Sequence, residues 1–150
     1  MPLNPASLAS DLVDLYNFVN AATSPIPADT LAQKWTDAFA NYLAAATNPA
    51  FPPPAIVAGK AAMKTILAAT ILSPPPAGLV ALTAGLMAFC VTAGGLATPF
   101  VVAPPPSPLP PPPPVPAPST VAALAMAGTI HSWAITGQAS VPPAPPAPWA

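Results

Sequence analysis

His131, Cys90 and the four aspartates Asp11, Asp14, Asp29 and Asp37 are the side chains of this 150-residue chain most apt for acid–base or nucleophilic chemistry. His131 is the only histidine, so no histidine pair can bind a metal, and no carboxylate lies within sequence reach of it. Ser132 follows it directly, but neighbours on a helix project about 100° apart, which is not the geometry of a catalytic dyad. The aspartates fall opposite apolar stripes on two helices, which assigns them to solvent rather than to a shared pocket. Cys90 sits between Phe89 and Val91 and reads as a small core residue; a single cysteine allows no internal disulfide and no metal or redox pair. Gly94-Gly95 lacks the following Lys-Ser/Thr of a phosphate loop. No enzyme activity, cofactor or small-molecule substrate is expected.

The charges themselves are unusual. Asp11, Asp14, Asp29, Lys34, Asp37, Lys60 and Lys64 are all of them, and nothing from residue 65 onward is charged. Charged residues make up 5 % of the chain, where a soluble domain uses about a quarter. A surface so poor in charge is expected to be covered by protein or by lipid. With a net charge of -1 there is no basic patch for nucleic acid. The N-terminal Met1-Pro2-Leu3-Asn4-Pro5 has no apolar h-region and does not read as a secretory signal.

The 28 prolines divide the rest into five apolar segments, predicting an all-α fold: a small Ala-rich bundle of about five helices joined by Pro-rich turns. The first helix is expected over 5–22, with Leu8, Leu12, Leu15, Tyr16 and Val19 on one face. The second, over 28–47, carries Leu31, Trp35, Phe39, Tyr42 and Leu43, with Asp29 or Thr30 as its cap. A third is expected over 55–72 and a fourth, apolar all round, over 77–97. A fifth runs over 119–137, from Ser119 as N-cap to Gly137 as C-terminal stop. Domain organisation follows: a four-helix bundle over 1–102, a polyproline II strap over 103–118, the fifth helix packing on the bundle, and an extended Pro-rich tail over 138–150. At ~3.1 Å per residue the strap would reach roughly 45 to 50 Å.

Two segments admit a second reading. The uncharged window Ala77–Ala103 is long enough to span a bilayer. Its glycines and the lack of flanking Lys or Arg favour instead a fully buried central helix. The proline tracts, and Phe51-Pro52-Pro53-Pro54 in particular, approximate ligands for SH3, WW or EVH1 grooves, but no cation accompanies the later prolines and a structural strap is the stronger reading.

Trp35 to Tyr42, as W-x-x-A-x-x-x-Y, and Thr129-Ile130-His131-Ser132-Trp133-Ala134-Ile135-Thr136-Gly137-Gln138-Ala139 resemble small accessory structural proteins of contractile-tailed phage virions. The resemblance implies a many-copy, non-catalytic component of the capsid, neck or baseplate, whose tails lie on other virion structural proteins and on copies of itself. The proline content departs from that pattern. On this reading Trp35, Tyr42, Phe51, Leu109, Trp133 and Trp149 are candidate anchors of helix packing or subunit contact, and the location is the virion. A single-span membrane protein and a polyproline-displaying adaptor are the alternatives.

Overall fold

A computed structural model describes residues 2–72, 77–112 and 119–150, with Ser119 described for its backbone alone. Five helices appear where the prolines and periodicity place them: α1 Pro5–Ala21, α2 Ala28–Ala44, α3 Pro53–Thr70, α4 Ala77–Gly94 and α5 Ser119–Ala134. The differences lie at the ends. Asn4 caps α1, its side chain accepting from the Ala6 N–H at 2.9 Å, and Pro5 occupies the first turn, where a missing N–H costs nothing. Neither Asp29 nor Thr30 caps α2; Pro27 does so without a side-chain bond, and Asp29 lies in the first turn. α2 stops at Ala44, not Thr47, because the next donors serve other acceptors. Ala46 N–H bonds the Leu43 carbonyl, while those of Thr47 and Asn48 bond the carbonyl of Ala150. α3 starts two residues early because Pro53 and Pro54 fit its first turn, so Phe51-Pro52-Pro53-Pro54 is not an extended ligand motif. The residue that caps α5 lies outside the described residues.

α2 is the centre of the bundle. Its Trp35 meets Tyr16 of α1, its Phe39 meets Phe89 of α4 edge to face with centroids 5.3 Å apart, and its Tyr42 bonds His131 of α5. It also packs on α3, while α1 packs on both α2 and α5. The expected central helix, α4, instead lies at the edge, one face buried through Leu82, Leu86, Phe89 and Cys90 and the other exposing Val80 and Val91. α3 and α4 form the closest pair. A Cβ built on Gly59 would stand 2.7 Å from the Phe89 ring, and one on Gly85 would stand 3.0 Å from Leu67, so the two backbones meet across missing side chains.

A small antiparallel sheet, which the periodicity did not predict, joins the chain's distant parts: β1 Val101–Ala103, β2 Gln138–Ser140 and β3 Ala147–Pro148, in the order β1-β2-β3. Val102 pairs with Ala139, which pairs in turn with Ala147. The tail is therefore a hairpin that doubles back, not one extended strap. Of the polyproline strap expected over 103–118, residues 103–112 are described; Ala103 belongs to β1, Pro105 and Leu109 are buried, and the Ser107 carbonyl accepts from Trp133 Nε1 at 2.6 Å. The remainder, 113–118, lies outside the described residues.

The glycine contacts give opposite expectations for one substitution. Gly128 of α5 has nothing within 4 Å of a built Cβ, so Gly128→Ala raises stability by about 0.5–1 kcal/mol through helix propensity. Gly59→Ala gains the same propensity but drives a methyl into Phe89, and overpacking of about 1–3 kcal/mol makes it a net loss. Urea denaturation of both variants measures the difference.

Candidate functional site

The six candidate anchors share one fate. Trp35, Tyr42, Phe51, Leu109, Trp133 and Trp149 are all buried in the chain's own core, where they anchor its internal packing. They fall into groups. Trp35 and Tyr42 lie on α2, and Trp133 holds the strap to α5. Phe51 and Trp149 meet edge to face at 5.6 Å. Trp149 also lies flat on Gly137: a Cβ there would stand 2.7 Å from its Cε2. No described glycine has a positive φ, so Gly137 is needed for this close approach and not for the left-handed turn expected of a helix stop. The next residue completes the closure, the Ala150 N–H bonding the Asn48 carbonyl at 2.9 Å. Trp149 Nε1 is buried without a hydrogen-bond partner, so shape rather than polar pairing holds the ring.

Tyr42 Oη and His131 Nδ1 are 2.7 Å apart. Burial raises the Tyr42 pKa, with the Cys90 thiol adding to it, and burial lowers that of His131. The phenol and the imidazole therefore share one hydrogen bond as two neutral groups. Cys90 is buried, its pKa raised by that burial, which leaves an inert thiol.

The charges are less dispersed than their helix faces suggested. Asp11, Asp14, Lys34 and Asp37 line one groove of about 180 Å³ between α1 and α2, with Asn41 donating to Asp11 at 3.1 Å. Lys34 Nζ lies over the Phe18 ring at 4.3 Å. Asp37 is paired with Lys60 at 2.6 Å and Asp29 with Lys64 at 3.2 Å, so the cations of α3 lean back onto α2. Burial pushes the Asp37 pKa up, but hydrogen bonds from Lys60 and Gln33 and the charges of Lys60 and Lys64 bring it below its ordinary value. No three of the described acidic, histidine or cysteine side chains converge as metal ligands.

What sequence reasoning misplaced is α4, whose outer face is open. Val80 of α4 is 68 % exposed, Val91 57 %, and Leu124 of α5 60 %, on helices without a charged residue. Val57 and Leu72 add to this on α3 and just beyond its end. The signal was present in α4 and α5, whose apolar residues leave no polar side to turn to water. No protein-family model, curated protein or solved structure matches the chain.

Two outcomes follow from these contacts. Trp149→Ala removes a ring buried between Phe51 and Gly137, costs about 3–5 kcal/mol and frees the tail, which limited proteolysis detects as early cleavage beyond residue 137. For pH, a histidine whose folded pKa is lowered binds protons more readily when unfolded. Stability is then full above the ordinary value of 6.5 and falls as pH drops through it toward the lowered folded pKa. His131→Gln flattens that part of the stability profile between pH 7 and 5, while the Asp37 contribution, lost only below its ordinary value of 3.8, is unaffected.

Proposed function

We propose that this protein is a non-enzymatic structural subunit, held in a larger protein assembly through the uncharged outer faces of α4 and α5. The tailed-phage virion is the setting its resemblance suggests. The observation that carries this reading is the exposure of Val80, Val91 and Leu124 on helices without any charge, while every charge lies on α1, α2 and α3. Monomeric soluble proteins rarely leave large apolar patches open to water. Its partners are other virion structural proteins and copies of itself, with no role for nucleic acid, cofactor or substrate.

A membrane reading has one observation in its favour: α4 has 18 residues and a mean hydropathy of 1.9, long and apolar enough to cross a bilayer. Against it, Leu86, Phe89 and Cys90 are fully buried in the bundle and Val101–Ala103 is committed to the sheet. The adaptor reading loses ground for a similar reason, since Pro105 and Leu109 are turned into the chain's own core.

The test is co-sedimentation. Native source material is banded on a density gradient, washed with detergent and assayed for this chain by mass spectrometry. Recovery with particles, in many copies, is the expected result; recovery in the detergent-soluble membrane fraction, or only as free soluble monomer, overturns the proposal.

A further inference from the structure

We propose that the seat of Trp149 is a peptide-binding site open to exchange between copies, the segment Ala147–Ala150 of one chain filling the seat of a second. This rests on the reading of the protein as one subunit among many. The structure shows the site with a ligand in place, and that ligand is the chain's own tail. Asn48 Nδ2 donates to the Pro148 carbonyl at 2.9 Å and to the Ala147 carbonyl at 3.3 Å. The Trp149 N–H donates to the Gly137 carbonyl at 3.0 Å, and the Ala150 carbonyl accepts from the Thr47 N–H at 2.7 Å. Apart from the indole ring, which meets Phe51 and Gly137, the tail is held here through its main chain. The ligand class is therefore an extended peptide carrying Pro-Trp, read by backbone bonds and one aromatic slot. Pro148-Trp149 is the only such pair in the sequence, so a second copy offers this same segment.

The tether that leads to the segment has no share in the seat. Val141 to Pro146 are all exposed, and four of these six residues are proline. One backbone bond holds their reversal, from the Ala144 N–H to the Val141 carbonyl at 2.9 Å. Straightening the tether gives up that bond, while the pairing with β2 and the contacts of Trp149 and Ala150 are all recovered on a second copy. Exchange of an identical element is a low-cost route to association for that reason. Extended at ~3.1 Å per residue, the tether reaches roughly 19 Å, and its prolines have little freedom to lose.

The test uses two full chains, Thr47→Cys and an isotopically heavy Ala150→Cys, unfolded together in urea and refolded at rising concentration. Both residues serve the seat mainly through their backbones and Cys90 is buried, so a short bismaleimide reports which chain occupies whose seat. Links between a light and a heavy chain are expected in at least about tenfold excess over links between two chains of the same kind, because seating raises the effective concentration of the paired thiols. An excess of synthetic peptide 141–150 should suppress them.

Unlike chains linked no more often than like ones at every concentration, or links that the peptide leaves unchanged, overturn the exchange. If the chain still bands with particles in that case, the assembly reading stands without it. Linked pairs from a chain absent from particles keep the exchange and remove the particle setting.

Discussion

The seating of Trp149 on Gly137 is the contact on which the closure of this chain depends. Three ends of the bundle converge there: the exit of α2 through Thr47 and Asn48, the entry to α3 through Phe51, and the exit of α5 through Gly137. With 28 prolines the chain has few backbone donors outside its helices, so its loops cannot be tied by an extensive ladder. One aromatic ring, a handful of backbone bonds around Asn48 and Ala150, and a sheet of two- and three-residue strands take that place. The orphaned Nε1 marks the cost. A buried unpaired donor loses about 1–3 kcal/mol, which the burial of so large a ring outweighs.

The same economy governs the helix contacts. α3 and α4 come together because Gly59 and Gly85 yield space to Phe89 and Leu67, which lets thin Ala-rich helices pack without many large side chains. α2 supplies the bulk that they lack, placing Trp35, Phe39 and Tyr42 against α1, α4 and α5. The three lysines and four aspartates serve the centre in another way. Lys60 and Lys64 bridge α3 to α2, and Asp11 joins α1 to α2 through Asn41. Half-exposed ion pairs of this kind are worth at most about 1 kcal/mol each, so their larger consequence is spatial: they gather the chain's charge around α2 and leave α4 and α5 without any.

The five helices were legible because proline and a 3.6-residue period mark both the breaks and the buried faces; Leu8, Leu12 and Leu15 of α1 are buried as their spacing predicts, while Tyr16 is half-buried and Val19, near the helix end, is exposed. The sheet was not legible, since strands as short as Ala147–Pro148 carry no periodic signal and pair with partners far away in sequence. Helix ends failed where long-range contacts decided them. Thr47 looks helical until the Ala150 carbonyl takes its N–H. The anchors were correctly seen as large apolar groups needing cover, but composition cannot say whether that cover comes from the same chain. For all six it does. Val80 and Val91 stand exposed because α4, expected at the centre, lies at the edge, and Leu124 of α5 is exposed as well.

That exchange of roles bears directly on how such a chain would sit in an assembly. Covering one exposed valine or leucine contributes about 1.5–3 kcal/mol relative to leaving it in water, and proline-bounded helices lose little further entropy when they dock. The groove of Asp11, Asp14, Lys34 and Asp37 lies between α1 and α2, whereas the uncharged stripe lies on the outer face of α4. Desolvating that groove would cost far more than its partial ion pairing returns, so the α1–α2 side is the one to remain in water or to meet a polar partner. In the assembly proposed above, the charge distribution would set an orientation: α4 and α5 toward apolar neighbours, α1 and α2 away from them.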